Sequence, residues 1–221
     1  MSLNPLIKMT ELSKQYGSHT ILDQVNLEVY PGDLICIFGA SGGGKSTLLN
    51  IMGTLEDYQA GHLECFNKLD PVQREKTSEL LRRTKIAYLF QNFALVDNMT
   101  VKENMMLAVK YSQFESKGQA IDQALLKVGL EDKQESKVYE LSGGQQQCLA
   151  LARNMVKPFD LMLADEPTGL LDETNKQMVM QTLLELNHEG KTIVVVSHDN
   201  DFKTIASKNY LIKNKKVERV L

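Results

Sequence analysis

The sequence predicts an α/β fold with an opening block of strands, a largely parallel core sheet and a helical insertion. Three observations predict it. Short apolar runs at 34–38, 86–90 and 193–196 alternate with helical stretches, the pattern of a parallel sheet covered by helices. The first thirty residues mix apolar and polar positions, as half-exposed strands do. The stretch near 95–155 turns helical and is richer in Met than the strands around it.

Taken in order, strands are expected at 6–12 and 21–30, the second carrying Leu22, Val25, Leu27 and Val29 and turning at Pro31-Gly32. A buried strand at 34–38 leads through a Gly-rich turn into a helix from Lys45 to about Met52. A strand at 61–66, a helix at 75–83 and a short buried strand at 86–90 follow. Residues 100–129 read as helical, with apolar Met105, Met106, Val109, Ile121, Leu125 and Leu126, punctuated by Gly118 and Gly129. A helix after Leu141 runs to about Val156. A strand at 160–164, a helix at 173–187, a strand at 192–197 and a closing hairpin over 210–221 complete the chain. The expected organisation is one domain over 1–221. Its core and β subdomain take about 1–92 and 157–221, and its helical subdomain takes about 93–156.

Composition bounds the function. Lys and Arg number 25 against 28 Asp and Glu, a net charge of −3, which disfavours a chain whose work is coating nucleic acid. No apolar run approaches the roughly 18 residues a membrane span requires. The opening Met1-Ser2-Leu3-Asn4-Pro5 has no basic region followed by an apolar block, so no signal peptide is expected. Cys36, Cys65 and Cys148 are scattered, with no CxxC pair, and read as reduced thiols of a cytosolic protein.

Three motifs carry chemistry. Gly39-Ala40-Ser41-Gly42-Gly43-Gly44-Lys45-Ser46-Thr47 fits GxxxxGK[ST], between a buried strand and a helix. Its glycines let backbone N–H groups converge on phosphate oxygens, and the helix N-terminus adds positive partial charge. Lys45 supplies a point charge to the terminal phosphates, and Ser46 suits Mg²⁺. The second motif, Leu163-Ala164-Asp165-Glu166-Pro167, ends an apolar strand in two carboxylates. Alone it is equally a solvated strand end. Beside a phosphate loop, Asp165 reads as a Mg²⁺ ligand and Glu166 as the base for an attacking water. In the third, Leu141-Ser142-Gly143-Gly144-Gln145, Ser142 caps a helix whose two glycines expose N–H groups. That makes a second anion nest in a chain whose nucleotide is already served by Lys45.

A phosphate loop, LSGGQ beginning 96 positions after Lys45, and LADEP shortly afterwards resemble the ATP-binding subunit of an ABC transporter across essentially the whole chain. The resemblance implies a P-loop NTPase core with an N-terminal antiparallel β subdomain and an inserted α-helical subdomain, and a head-to-tail dimer. In that dimer Ser142, Gly143, Gly144 and Gln145 contact ATP held by the partner subunit, and Asp172 crosses the interface as the D-loop aspartate. It implies that Tyr16 stacks on adenine, that Gln91 contacts Mg²⁺ and water and senses a membrane partner, and that His198 contacts the γ-phosphate and orients Glu166. It places the chain in the cytoplasm, peripheral on the inner face of the membrane, driving a permease that is a separate polypeptide. That permease is expected to dock near Gln91, on some of Phe93, Leu95, Met99, Met105 and Met106. Two departures stand out: Cys148 occupies a position where many relatives carry Arg, so a salt bridge is expected to be missing there, and Leu170 replaces a smaller D-loop residue.

Within the family, the run Glu166-Pro167-Thr168-Gly169 resembles the lipoprotein-releasing, macrolide-exporting and peptide-antibiotic-resistance group. The run Gln91-Asn92-Phe93-Ala94-Leu95-Val96-Asp97-Asn98 is similar to ATPases assigned to bacteriocin export. Cell-division ABC ATPases and iron–sulfur assembly ATPases share the motifs and stand as alternatives. DNA-repair and translation ATPases fit less well, since neither heptads nor a second cassette is present. A nucleotide-binding regulator is disfavoured by intact Glu166 and His198.

Overall fold

The computed structural model describes residues 4–169 and 171–220. A four-stranded antiparallel sheet, in the order β2-β1-β4-β5, is built from β1 (Ile7–Tyr16), β2 (His19–Val29), β4 (Ala60–Cys65) and β5 (Lys68–Leu69). The six-stranded sheet takes β3 (Leu34–Gly39), β6 (Ile86–Leu89), β7 (Leu161–Asp165), β8 (Thr192–Val196), β9 (Lys208–Lys213) and β10 (Lys216–Val220) in the order β10-β9-β3-β8-β7-β6. All its pairings are parallel except β9 with the edge strand β10.

Both faces of that sheet are covered, which is why its strands are apolar runs and not alternating ones. Successive side chains of a strand point to opposite faces. Ile35, Ile37, Leu161, Leu163, Val194 and Val196 accordingly pack towards α1 (Lys45–Met52) and the smaller sheet. Leu34, Cys36, Met162, Ala164, Ile193 and Val195 pack on the other face. There they meet α5 (Gly143–Met155), α6 (Glu173–His188) and α7 (Asn200–Ile205) through Leu151, Leu183 and Phe202. Each fully buried aliphatic side chain contributes roughly 1.5–3 kcal/mol. A third core joins α3 (Val101–Val109), α4 (Lys117–Lys127) and the outer face of α5. Helix α5 belongs to both bodies: Ala150 and Leu151 face the sheet, while Leu149 and Ala152 face the inserted helices.

The structure refines several sequence expectations. The first two strands extend to meet at Gly17, so the β1–β2 hairpin is longer than its apolar positions suggest. The expected helical stretch over 100–129 is two helices. A capping box at Thr100 and Glu103 opens α3, and a separate cap at Ser116 opens α4. Helix α2 (Glu75–Thr84) matches its expectation, and α7, capped by Asp199, was not foreseen.

Candidate active site

The parallel strands β3, β8, β7 and β6 lie side by side, so their C-terminal ends bring four separate loops to one edge, where open α/β sheets bind ligands. Strand β3 runs into the glycine-rich loop. A Cβ at Gly39 would fall 2.6 Å from the Ile212 carbonyl oxygen on β9, so only glycine lets the loop leave the sheet there. Gly44, at φ +94°, opens α1 without any side-chain cap, which leaves the first N–H groups of the helix to an outside acceptor. Lys45 is buried, and its Nζ donates to the carbonyls of Gly39 and Ala40 at 3.0 and 3.1 Å.

Asp165 ends β7 beside Ser46, while its Oδ1 is buried with no hydrogen-bond partner. Burial raises its pKa above the usual carboxylate range; the neighbouring Glu166 adds to that, and the Ser46 hydroxyl and Lys45 oppose it. A buried carboxylate with an unpaired oxygen, beside a serine hydroxyl, fits a hard cation. Among the described residues no three His, Cys, Asp or Glu side chains converge as a protein-only cage, so phosphate and water oxygens would complete the shell.

Glu166 sits at φ +47°, a left-handed conformation that costs a non-glycine residue about 1–3 kcal/mol and is characteristic of functional sites. Its N–H is fixed on the Val196 carbonyl at 2.9 Å. Its Oε2 accepts from the His198 backbone N–H at 3.2 Å, and its Oε1 lies 3.2 Å from His198 Nε2. The same Nε2 lies 3.2 Å from Lys45 Nζ and 3.5 Å from Ser41 Oγ. Gln91, two residues past β6, joins Ser41, Gly42, Lys45, Ser46, Asp165, Glu166 and His198 around one cavity of about 410 Å³. Phosphate loop, carboxylate pair, glutamine and histidine thus share a cleft able to hold a polyphosphate and place a water beside a base.

The other expected contacts lie outside that cleft. Ser142 caps α5: its Oγ accepts from Gln145 N–H at 3.3 Å, and Gln145 Oε1 accepts from Ser142 N–H at 3.0 Å. Gln145 therefore has a local task, holding the nest in shape. A Cβ on Gly143 would meet nothing, so that N-terminus is open. Asp172 caps α6 through Asn175 N–H at 2.8 Å. Leu170 lies outside the described residues. Cys148 is buried, its thiol donating to Asn175 Oδ1 at 3.7 Å, and burial pushes its pKa up to about 11. Tyr16 ends β1, half exposed, with its hydroxyl on Glu56 and beside Thr47 at the start of α1.

Of the residues expected to face a docking partner, Met105 is corrected. It is fully buried in the helical core, whereas its neighbour Met106 is 49% exposed, as the 100° turn between adjacent helical positions requires. Leu95 is half-buried between two cores. Arg153 is a feature the sequence reading missed. From the far end of the signature helix its guanidinium donates to the Ala94 and Phe93 carbonyls at 2.6 and 3.1 Å, clamping two residues of positive φ beyond Gln91. No local pattern signals such a contact across 60 positions.

Fold and cleft together define an ATP-hydrolysing cassette of the phosphate-loop class. Residues 22–169 match the ABC transporter family, and the chain belongs to it. The macrolide export ATP-binding/permease protein MacB of Pasteurella multocida is 35% identical over 97% of this chain and 34% of its own length. MacB of Campylobacter jejuni is 36% identical over 95% of this chain and 33% of its own length. The chain thus spans about a third of the length of these curated relatives. The dimeric ABC transporter cassette MJ0796 matches the structure with a TM-score of 0.89 at 36% identity, covering 96% of this chain and 97% of that one. A dimeric post-hydrolysis state of the same cassette, bound to ADP and Pi, matches at 0.88 and 32%, with the same coverage.

Proposed function

We propose that two copies of this chain pair head to tail around two Mg-ATP molecules and hydrolyse them to drive export through a membrane permease. The observation that carries the reading is a division of parts. Lys45, Gln91, Asp165, Glu166 and His198 share one cleft, while a second, well-formed anion nest at Ser142–Gly144 opens elsewhere on the same chain. A nest set apart from the residues that would hold this chain's own nucleotide suits the phosphate of a partner's nucleotide. The dimeric form of MJ0796 and the export named for the MacB relatives support this reading.

In this reading Lys45 and the loop N–H groups bind the phosphates, and Tyr16 stacks on the adenine. Ser46, Asp165 and Gln91 hold Mg²⁺, which neutralises phosphate charge when bound. Glu166 takes the proton of the attacking water, and His198 fixes Glu166 and meets the γ-phosphate. Gln145 and Asp172 shape the contact from the partner side. No described helix is long and apolar enough to cross a membrane. The cassette would work in the cytoplasm against the inner membrane face.

The test is light scattering on Glu166→Gln with and without Mg-ATP. A monomer that becomes a dimer only with nucleotide is expected. A dimer of equal strength without nucleotide counts against ATP as the shared ligand.

A further inference from the structure

Tyr16 stands on a strand end, 50% exposed and outside the buried cores. Such a side chain samples several rotamers, and a stacking platform that must first be ordered loses affinity to that ordering. The structure supplies an ordering device from the loop between α1 and β4. The Tyr16 hydroxyl donates to Glu56 Oε1. Glu56 is held in turn by Lys14 Nζ at 3.1 Å, and Lys14 is anchored a second time on Asp57 at 2.7 Å.

Lys14 is only 4% exposed, and its Nζ lies over the Tyr16 ring, 4.8 Å from the centroid. One face of the ring is therefore backed by a cation. The loop carrying the two carboxylates is strapped to the same strand. Gln59 N–H donates to the Ser13 carbonyl at 3.0 Å, and Gln59 Oε1 accepts from Gln15 N–H at 2.8 Å. Burial pulls the Lys14 ammonium down, but its bonds to Asp57 and Glu56 outweigh that and keep it charged. The Glu56 bond raises the Tyr16 phenol, so it remains a neutral donor.

We propose that Glu56 is a positioning residue for the nucleotide base: it tethers the Tyr16 hydroxyl, with Lys14 behind the ring, and so holds the opposite ring face ready for a purine. This rests on the reading of Tyr16 as the stacking residue. It extends the base site to a carboxylate 40 positions away that never touches the nucleotide.

The experiment compares Mg-ADP with Mg-pyrophosphate by calorimetry on the full chain, since only the former carries a base. Tyr16→Ala should weaken ADP binding by roughly 5- to 150-fold through loss of stacking. Tyr16→Phe, which keeps the ring and removes the tether, and Glu56→Ala should each cost roughly 3- to 10-fold. The double variant should be no weaker than either single one, because both break the same bond. Glu56→Gln, which can still accept the bond, should restore most of the loss. Pyrophosphate affinity should stay at the wild-type value throughout, and Lys14 keeps Asp57 as its partner, so Glu56→Ala should fold. ADP affinity at the wild-type value in Tyr16→Phe and Glu56→Ala, with Tyr16→Ala weakened, overturns the tether while leaving the stacking role intact. No loss in Tyr16→Ala overturns the stacking role itself. A parallel loss of pyrophosphate binding in Glu56→Ala also overturns the proposal, since the damage is then not confined to the base.

Discussion

In the proposed mechanism, replacing Glu166 with Gln isolates the proton-transfer step. The two side chains are nearly isosteric, and the contact that fixes Glu166 from below, the His198 N–H on Oε2 at 3.2 Å, survives if the amide oxygen takes that place. The Val196 carbonyl bond to the residue 166 N–H is backbone and is untouched. What is lost is a carboxylate oxygen, Oε1, whose contact is His198 Nε2 at 3.2 Å and which can accept a proton. Positioned general bases contribute roughly 10²–10⁴ in rate. At 1.36 kcal/mol per tenfold, that is about 2.7–5.4 kcal/mol of barrier. Turnover at saturating ATP should therefore fall by roughly 10²-fold or more, with nucleotide affinity little changed. Lys45→Ala provides the contrast: losing the phosphate point charge should weaken nucleotide binding itself. The assay is phosphate release alongside equilibrium ATP binding for both variants, with the permease reconstituted. Hydrolysis by Glu166→Gln at the wild-type rate would refute the assignment of the base.

Two further outcomes follow from burial. Asp165→Asn should raise the Tm of the nucleotide-free protein by about 2–8 °C, from roughly 1–2 kcal/mol of relieved charge burial at about 2–4 °C per kcal/mol. Because burial raises the Asp165 pKa, the folded state holds that proton more tightly than the unfolded one. The penalty is present above the folded pKa and fades as pH falls through it, so the Tm gap should close in acid; a gap independent of pH argues against this origin. Met99→Glu and Met106→Glu should abolish stimulation of the ATPase by reconstituted permease while basal hydrolysis stays near wild type, since both side chains reach the surface. Full stimulation in both places the docking surface elsewhere.

The parts of the molecule that declare themselves in sequence are those whose physics is local. Leu161–Asp165 and Thr192–Val196 read as buried strands because burial on both faces makes every position but the terminal Asp165 and Thr192 apolar. The phosphate loop and the Ser142 cap read directly because a turn or a cap is specified by consecutive residues. Helix α7 escaped because six residues with only Phe202 buried show no period, and the break between α3 and α4 escaped because the link over 110–116 holds neither Gly nor Pro, while the nearest breaker, Gly118, lies inside α4. The cleft itself is a product of topology: Gln91, Asp165 and His198 meet because β6, β7 and β8 are adjacent strands, an order that no short window contains.

Where the residues violate the usual rules of a stable interior, they do so at this cleft. Lys45 is buried with no carboxylate in salt-bridge range among the described residues, Asp165 is buried with an unpaired oxygen, and Glu166 adopts a backbone better suited to glycine. Each costs stability, and the three sit within one cavity. Scattered at random they would be three defects. Gathered at the ends of adjacent strands, in the proposed function they are charges held apart from water, with their attractions unsatisfied until polyphosphate and cation arrive. Binding energy released on meeting them offsets what the fold gave up, which is why removing one such charge should stabilise the empty protein and disable the loaded one.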